Sequence, residues 1–233
     1  RVENGMITNK TSLPLGVLRL INNPIVKKRN LYKYVKKLLR EEKWLSKKKF
    51  ENLYLVGGTW RALFKLHLFQ NKHPVHIIHQ YSVNYEDLSL FVEKISSFNK
   101  AKLKTVEYIS KSRTPYLPYS SIILNEIMTV TNPKNIICSI SGIREGSLAK
   151  DYFKDIDNSQ VFEKSLEYIS KKRGDLGLTY KKYHEFIKPV FDGNEHFDEK
   201  LLNLACVLSH MDWGLGAFQK AELVFQETLN TPL

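Results

Sequence analysis

The stretch of residues 53–63 constrains the fold more than any other part of this sequence. It joins an apolar run ending at Val56 to the glycine pair Gly57 and Gly58, and then to a segment from Thr59 in which apolar residues recur at helical spacing. The pattern predicts a buried strand, a tight turn and a helix. Glycine permits positive φ and close approach to a ligand, while the start of the helix presents unpaired N–H groups and the positive end of its dipole. Such a corner is either plain turn chemistry or an anion site, most naturally for phosphate.

A second corner of the same kind occurs later in the chain. The β-rich run 135–140 is followed by Ser141 and Gly142, and a helical pattern begins at Ile143. Arg144 stands at the start of that helix. Its guanidinium is suited to a phosphate, and equally to a structural ion pair with an acid such as the neighbouring Glu145, so both interpretations stay open.

Around these corners the chain up to residue 153 alternates helical and β-rich patterns. Asn4 and Gly5 form the favoured pair for a type I′ turn, so a hairpin is expected at the start. Because two strands alone are marginal in water, we also expect partner strands upstream of Arg1. A β-rich run is predicted at 75–83, and helices are predicted at 30–45, 86–98, 101–109 and 120–130.

Three histidines fall in or beside the 75–83 run, His73, His76 and His79, at intervals of three residues. On a strand such positions alternate between faces, and no cysteine or acidic residue nearby completes a ligand set. We therefore predict that they do not form a metal site.

The charge is strongly positive, with 36 Lys and Arg against 24 Asp and Glu and a formal net charge of +12. The sum favours an anionic partner, although each lysine taken singly also fits a solvated helix face. Lys27, Lys28 and Arg29 form the densest short cluster and are the first candidates for a polyanion track.

Cellular location can be argued from apolar runs and cysteines. No apolar run approaches the roughly 18 residues of a membrane span, and no leader pattern follows Arg1, so no integral membrane segment is expected. Cys138 and Cys206 each lie in an apolar run, which predicts buried free thiols and a reducing cytoplasm.

The tail from residue 155 to 233 changes to helical patterns separated by glycines. It predicts a separate all-helical segment with helices at 159–172, 180–191, 198–210 and 220–229. His210 and Asp212 are not adjacent and have no supporting His and Asp cluster, so a structural role is favoured over a metal pair.

Four blocks in order resemble the exopolyphosphatase and guanosine pentaphosphate phosphohydrolase (Ppx/GppA) family: 12–16, 56–63, 117–119 and 141–146. The resemblance implies an α/β fold in which residues 1–154 are the second domain of an actin-like ATPase (ribonuclease H-like) pair, incomplete at its N-terminal side. It also implies that residues 155–233 form an all-helical HD-like domain, either complete or truncated.

The resemblance further implies a bacterial cytoplasmic enzyme that releases terminal phosphate from inorganic polyphosphate, guanosine pentaphosphate or both. Magnesium (Mg) would assist a water activated by a glutamate upstream of Arg1, so the fragment alone is expected to be inactive. The full-length form would be a homodimer without a nucleic-acid partner. The phosphate-binding residues carried over from the family are Gly57, Gly58, Thr59, Arg61, Gly142 and Arg144.

Two alternatives remain at this stage. A noncatalytic sensor of polyphosphate or a nucleotide alarmone would use the same corners, and a sugar or acetate kinase relative would have the same fold. The kinase would need an adenosine pocket beside Gly57 and Gly58, against which the bulky Trp60 argues. A glycine-rich loop and a glutamate upstream of Arg1 would favour hydrolysis over binding alone.

Overall fold

The computed structural model describes residues 1–23, 30–46, 50–152, 160–172, 179–191, 197–209 and 217–230. The chain divides into two compact units, Arg1–Glu145 and Gly146–Leu233. In the described ranges, none of the helices has the length and apolar character needed to cross a bilayer.

Five strands and eleven α-helices make up these residues. The strands are β1 (Val2–Glu3), β2 (Met6–Ile7), β3 (Asn52–Val56), β4 (Ser82–Asn84) and β5 (Asn135–Ser139). The helices of the first unit are α1 (Val17–Ile21), α2 (Leu31–Glu41), α3 (Gly58–Gln70), α4 (Tyr85–Ser96), α5 (Lys100–Lys104), α6 (Leu117–Thr131) and the start of α7 (Ile143–Tyr152). The later helices are α8 (Val161–Lys172), α9 (Thr179–Ile187), α10 (Glu199–Ser209) and α11 (Ala217–Asn230). The prediction of a mixed α/β fold is confirmed.

The predicted hairpin is present at the start of the chain. β1 and β2 pair antiparallel, and Asn4 and Gly5 between them have φ of 49° and 75°. Both central residues of a type I′ turn need positive φ, so this pair suits the turn.

A three-stranded sheet in the order β3-β5-β4 positions the two glycine corners. β5 is parallel to β3 and antiparallel to β4. Val56, at the end of β3, lies opposite Ser139, at the end of β5. The two strands therefore deliver the chain to the same edge of the sheet.

Helix α6 lies between two apolar clusters. Leu124 and Met128 belong to the cluster that α3, α4 and the sheet share, whereas Ile123 packs with residues of α1 and α2. A helix buried on two sides needs apolar residues around most of its circumference, and α6 has them. It ends at Asn132 with a left-handed φ of 44°, directly before Pro133.

Two of the predicted elements are wrong over much of their length. In the 75–83 run only Ser82 and Val83 belong to a strand, β4, because Gln80 has φ of 58° and extended pairing cannot pass through it. In the 101–109 run the helix ends at Lys104, and Tyr108, with φ of 66°, stacks its ring on Phe69 at 3.9 Å between centroids. Tertiary contacts prevail over local pattern in both runs.

Every secondary-structure element described in the second unit is a helix, as predicted. Its core joins α8, α9 and α10 through Leu166, Tyr180, Leu202, Cys206 and Val207. His210 and Asp212 lie outside the described residues, and the likeness of this unit to HD domains stays a prediction.

Candidate functional site

The first corner begins where β3 ends and α3 starts. Gly57 has φ of 133° and ψ of 160°, a conformation that L side chains rarely adopt. The backbone N–H of Arg61 donates to the carbonyl of Gly57 at 3.0 Å, which closes the first helical turn. The expected special backbone conformation at Gly57 is therefore present, although a Cβ there would meet nothing closer than Cδ1 of Trp60 at 3.6 Å.

The N-terminus of α3 has no capping side chain and no acidic residue in its first turn. The N–H groups of Gly58, Thr59 and Trp60 therefore have no partner within the helix, and the dipole adds a partial positive charge. Thr59, which is half-buried, brings a hydroxyl to the same turn. This corner is electropositive and offers several donors.

An arginine from a distant part of the chain adds positive charge to this corner. Nη1 of Arg113 donates to the carbonyl of Gly58 at 2.8 Å, although the two residues are 55 apart in the chain. A Cβ at Gly58 would lie 2.8 Å from Cζ of Arg113, so the glycine makes room for the guanidinium. Placing a cation beside the positive end of a helix is unfavourable unless an anion joins them. Sequence reasoning missed Arg113, because only tertiary structure brings it to α3.

Arg61 lies on the first turn of α3, between the two corners. Its Nε is inaccessible to solvent and has no hydrogen-bond partner among the described residues. Its charge acts on both Cys138 of β5 and Glu145 of α7. Burial raises the pKa of the Cys138 thiol to about 11, and Arg61 offsets only part of that rise. A buried donor without a partner costs about 1–3 kcal/mol, so a bound acceptor that reached this Nε would recover that cost.

The second corner is closed by a side chain of its own. The N–H of Gly142 donates to Oε2 of Glu145 at 2.7 Å, which is half of a capping box at the start of α7. Hydrogen bonds from the N–H groups of Glu145 and Gly142 lower the pKa of the Glu145 carboxyl, with smaller contributions from the charges of Arg144 and Arg61. The carboxylate therefore occupies the position that an external anion would take.

The two corners are neighbours in space. A Cβ built on Gly142 would lie 3.8 Å from Cγ1 of Val56, the last residue of β3. Arg144 is exposed, forms no salt bridge within the described part of the chain, and acts on Glu145 only through its charge. The structure thus brings together Gly57, Gly58, Thr59, Arg61 and Gly142, with Arg144 at the rim.

The remaining candidates lie elsewhere. Lys27, Lys28 and Arg29 fall outside the described residues. His73 hydrogen-bonds the backbone of Val75, the ring of His76 packs on Phe69, and Nδ1 of His79 accepts from the N–H of Ile140.

The residues at the corners do not themselves make a magnesium site. Glu145 is the one carboxylate that the described contacts bring to the two corners, and it is engaged by Gly142. No group of three or more His, Cys, Asp or Glu side chains suited to a metal occurs within the described ranges. Oxygen ligands are what magnesium requires, so its presence stays a prediction.

The model of the Ppx/GppA phosphatase family matches residues 1–154. A solved Ppx/GppA family member from Aquifex aeolicus superposes with a TM-score of 0.52 at 18% identity, covering 67% of this chain and 53% of that one. An exopolyphosphatase from Cytophaga hutchinsonii gives a TM-score of 0.54 at 15% identity, covering 63% and 50%.

At these identities the likeness to the solved structures concerns the fold. The chain spans about half the length of these two structures. A search of curated proteins gave no significant match.

Proposed function

Because this chain belongs to the Ppx/GppA phosphatase family, whose model matches residues 1–154, we propose that it forms the phosphate-binding side of a phosphoanhydride hydrolase. Its substrates are inorganic polyphosphate, guanosine pentaphosphate or both. The solved relative from Cytophaga hutchinsonii, described as an exopolyphosphatase, supports the first of these.

One observation carries the proposal. The first corner, called the α3 corner from here on, has no capping side chain and no acidic residue in the first turn of α3. Even so, Arg113 lies on Gly58, and the buried Nε of Arg61 has no partner within the described residues. An anion at this corner would satisfy the helix N–H groups and compensate both guanidinium groups.

In the proposed reaction the terminal phosphoryl group docks at the α3 corner. Its oxygens accept from the N–H groups of Gly58 and Thr59, from the Thr59 hydroxyl and from Arg113. Arg61, and Arg144 from the rim, add positive charge where negative charge develops as the phosphoanhydride bond breaks, and such preorganised donors act most strongly in the transition state.

Other parts of the enzyme complete the proposal. The attacking water is activated by a glutamate that we place outside this sequence. When bound, magnesium would neutralise phosphate charge and orient the leaving group. Cytoplasmic location, a homodimer and an HD-like character for residues 155–233 belong to the same proposal.

Binding of tripolyphosphate to the chain, measured by isothermal titration calorimetry, tests the site. Arg113→Gln should weaken binding about tenfold, which corresponds to losing one charge-assisted hydrogen bond. Lys111→Gln is the matched control, because Lys111 is an exposed cation two residues away and should leave affinity unchanged. Absent binding by the wild-type chain, or equal losses in both variants, would overturn the proposal.

A further inference from the structure

The positive charge of this protein is concentrated in one short part of the sequence. Residues 27–49 contain 11 Lys and Arg and 2 Asp and Glu, which is +9 of the net +12. The remainder of the chain is therefore close to balanced. A general lysine bias does not explain such a concentration.

Helix α2 presents part of this charge on one face. Leu31, Val35 and Leu39 are buried and face the cluster that includes Ile123 of α6. The α2 basic face, defined here as Lys33, Lys36, Lys37 and Arg40, points away from that core. With Tyr32 and Glu41 these residues line a groove of about 580 Å³.

The α2 basic face is poorly compensated within the protein. Its members lie three and four residues apart, and like charges at those helical spacings repel and destabilise the helix. None of the four forms a salt bridge in the part of the chain that the structure describes. Glu126 of α6 feels the charges of Lys36 and Arg40, but burial still raises the pKa of its carboxyl. Glu41 also lines the groove, so two acids face four cations and do not balance them. The repulsion between these like charges lowers the stability of α2. We therefore look for the function of the α2 basic face in binding.

We propose that the α2 basic face is a docking surface for the phosphate chain of inorganic polyphosphate, separate from the α3 corner. This inference rests on the proposed function for its substrate. A row of cations attracts a flexible polyanion and gains from release of its counterions.

A nucleic acid fits the face less well. Proteins that bind single strands combine basic grooves with several aromatic platforms on which bases stack. Tyr32 is the one aromatic residue that lines this groove, and the Lys33 ammonium lies over its ring, 5.9 Å from the centroid. The surface therefore offers charge without a stacking series.

The test compares two quadruple variants with equal loss of charge. The first is Lys33→Gln, Lys36→Gln, Lys37→Gln and Arg40→Gln. The control is Lys104→Gln, Lys111→Gln, Lys171→Gln and Lys182→Gln, all at exposed positions outside α2. Dissociation constants for long-chain polyphosphate, tripolyphosphate and single-stranded RNA are measured at several salt concentrations.

We expect the α2 variant to lose about tenfold or more in affinity for long-chain polyphosphate, with the control losing much less. The slope of log affinity against log salt should flatten by about 0.9 for each lost contact, by analogy with DNA phosphates. Tripolyphosphate, which is short enough for the α3 corner alone, should bind the α2 variant as it binds the wild type. Removing like charges from α2 should leave the melting temperature unchanged or raised.

Several outcomes separate this proposal from the proposed function. Equal losses of long-chain affinity in both quadruple variants would overturn the docking surface and leave the corner intact. A larger loss for RNA than for polyphosphate would overturn polyphosphate as the occupant. A further outcome is that the wild type binds long-chain polyphosphate through α2 and yet binds no tripolyphosphate. That result would support the docking surface and overturn the α3 corner as a phosphate site. If the α2 variant melts early, Lys33→Gln with Lys37→Gln, both exposed, repeats the test.

Discussion

The two glycine corners have the same local design and opposite electrostatics. Each corner follows one of the two parallel strands, β3 or β5, lies at the same edge of the sheet and leads into a helix. At the second corner, called the α7 corner from here on, the Glu145 side chain accepts from the N–H of Gly142 and supplies the negative charge that a helix N-terminus favours. At the α3 corner no acid is supplied, and two guanidinium groups are added. The comparison shows that a helix N-terminus can be capped by its own chain or left open for a ligand. An acidic residue three positions after the capping glycine makes the difference.

The glycines of the two corners also differ in purpose. Gly57 is needed for its positive φ, and Gly58 for the space that Arg113 fills. Gly142 has no such backbone requirement, and its N–H is already occupied by Glu145. Its assignment to phosphate binding stays a prediction that would require Glu145 to move.

The largest expected effect tests the backbone difference. Gly57→Ala should lower the free energy of unfolding by about 1–3 kcal/mol, because alanine is strained at this φ and ψ. Gly142→Ala is the matched control and should cost less than about 1 kcal/mol, since its Cβ meets mainly the flexible Glu145 carboxylate. Urea unfolding of both variants provides the measurement. Equal costs would mean that the corners do not differ in backbone strain.

A smaller effect tests the electrostatic difference. Arg61→Lys keeps the charge but loses the planar fork, so tripolyphosphate affinity should fall about tenfold. Arg144→Lys, at the self-capped corner, should change affinity about threefold or less. Calorimetric titration decides the matter. A greater loss at Arg144 would reverse the ranking and make the α7 corner the principal anion site.

The smallest effect concerns Glu145 and pH. The folded pKa of its carboxyl lies below the ordinary value of about 4.5, so its stabilisation is complete above that value and is lost as pH falls through the folded pKa. Glu145→Gln should therefore be less stable than the wild type at neutral pH and equally stable in strong acid. Thermal melting of both proteins from strong acid to neutral pH gives the difference between their stabilities. The contributions of the other acidic residues cancel in this difference. A difference that stays constant with pH would remove Glu145 as the charge that closes the α7 corner.

Local sequence patterns predicted the features that depend on adjacent residues. Asn84 accepts from the N–H of Asp87 and caps α4, which begins one residue before the predicted 86–98 helix. The glycine at residue 57 has the predicted special φ. These features follow from a few residues and their hydrogen bonds, so a linear pattern contains them.

The features that sequence patterns missed depend on distant residues. Arg113 reaches Gly58 from the loop before α6, and no local pattern marks it. Trp60 packs against both apolar clusters of the first unit, a role that the sequence pattern did not predict. The capping role of Glu145 was also missed, although the bond joins residues only three positions apart, because the N-cap position holds glycine instead of the serine or threonine of a full capping box.

The contact between Arg113 and Gly58 also has a meaning in polymer terms. It closes a loop of 55 residues by a single side-chain hydrogen bond at an exposed position, and closing a loop of that size reduces chain entropy. An anion held by both the α3 N–H groups and Arg113 would act as a reversible cross-link between the two ends of that loop. Occupancy of the corner would then stiffen a segment that contains α3, α4 and α5, so that a phosphate ligand would serve the architecture of the unit as well as its chemistry.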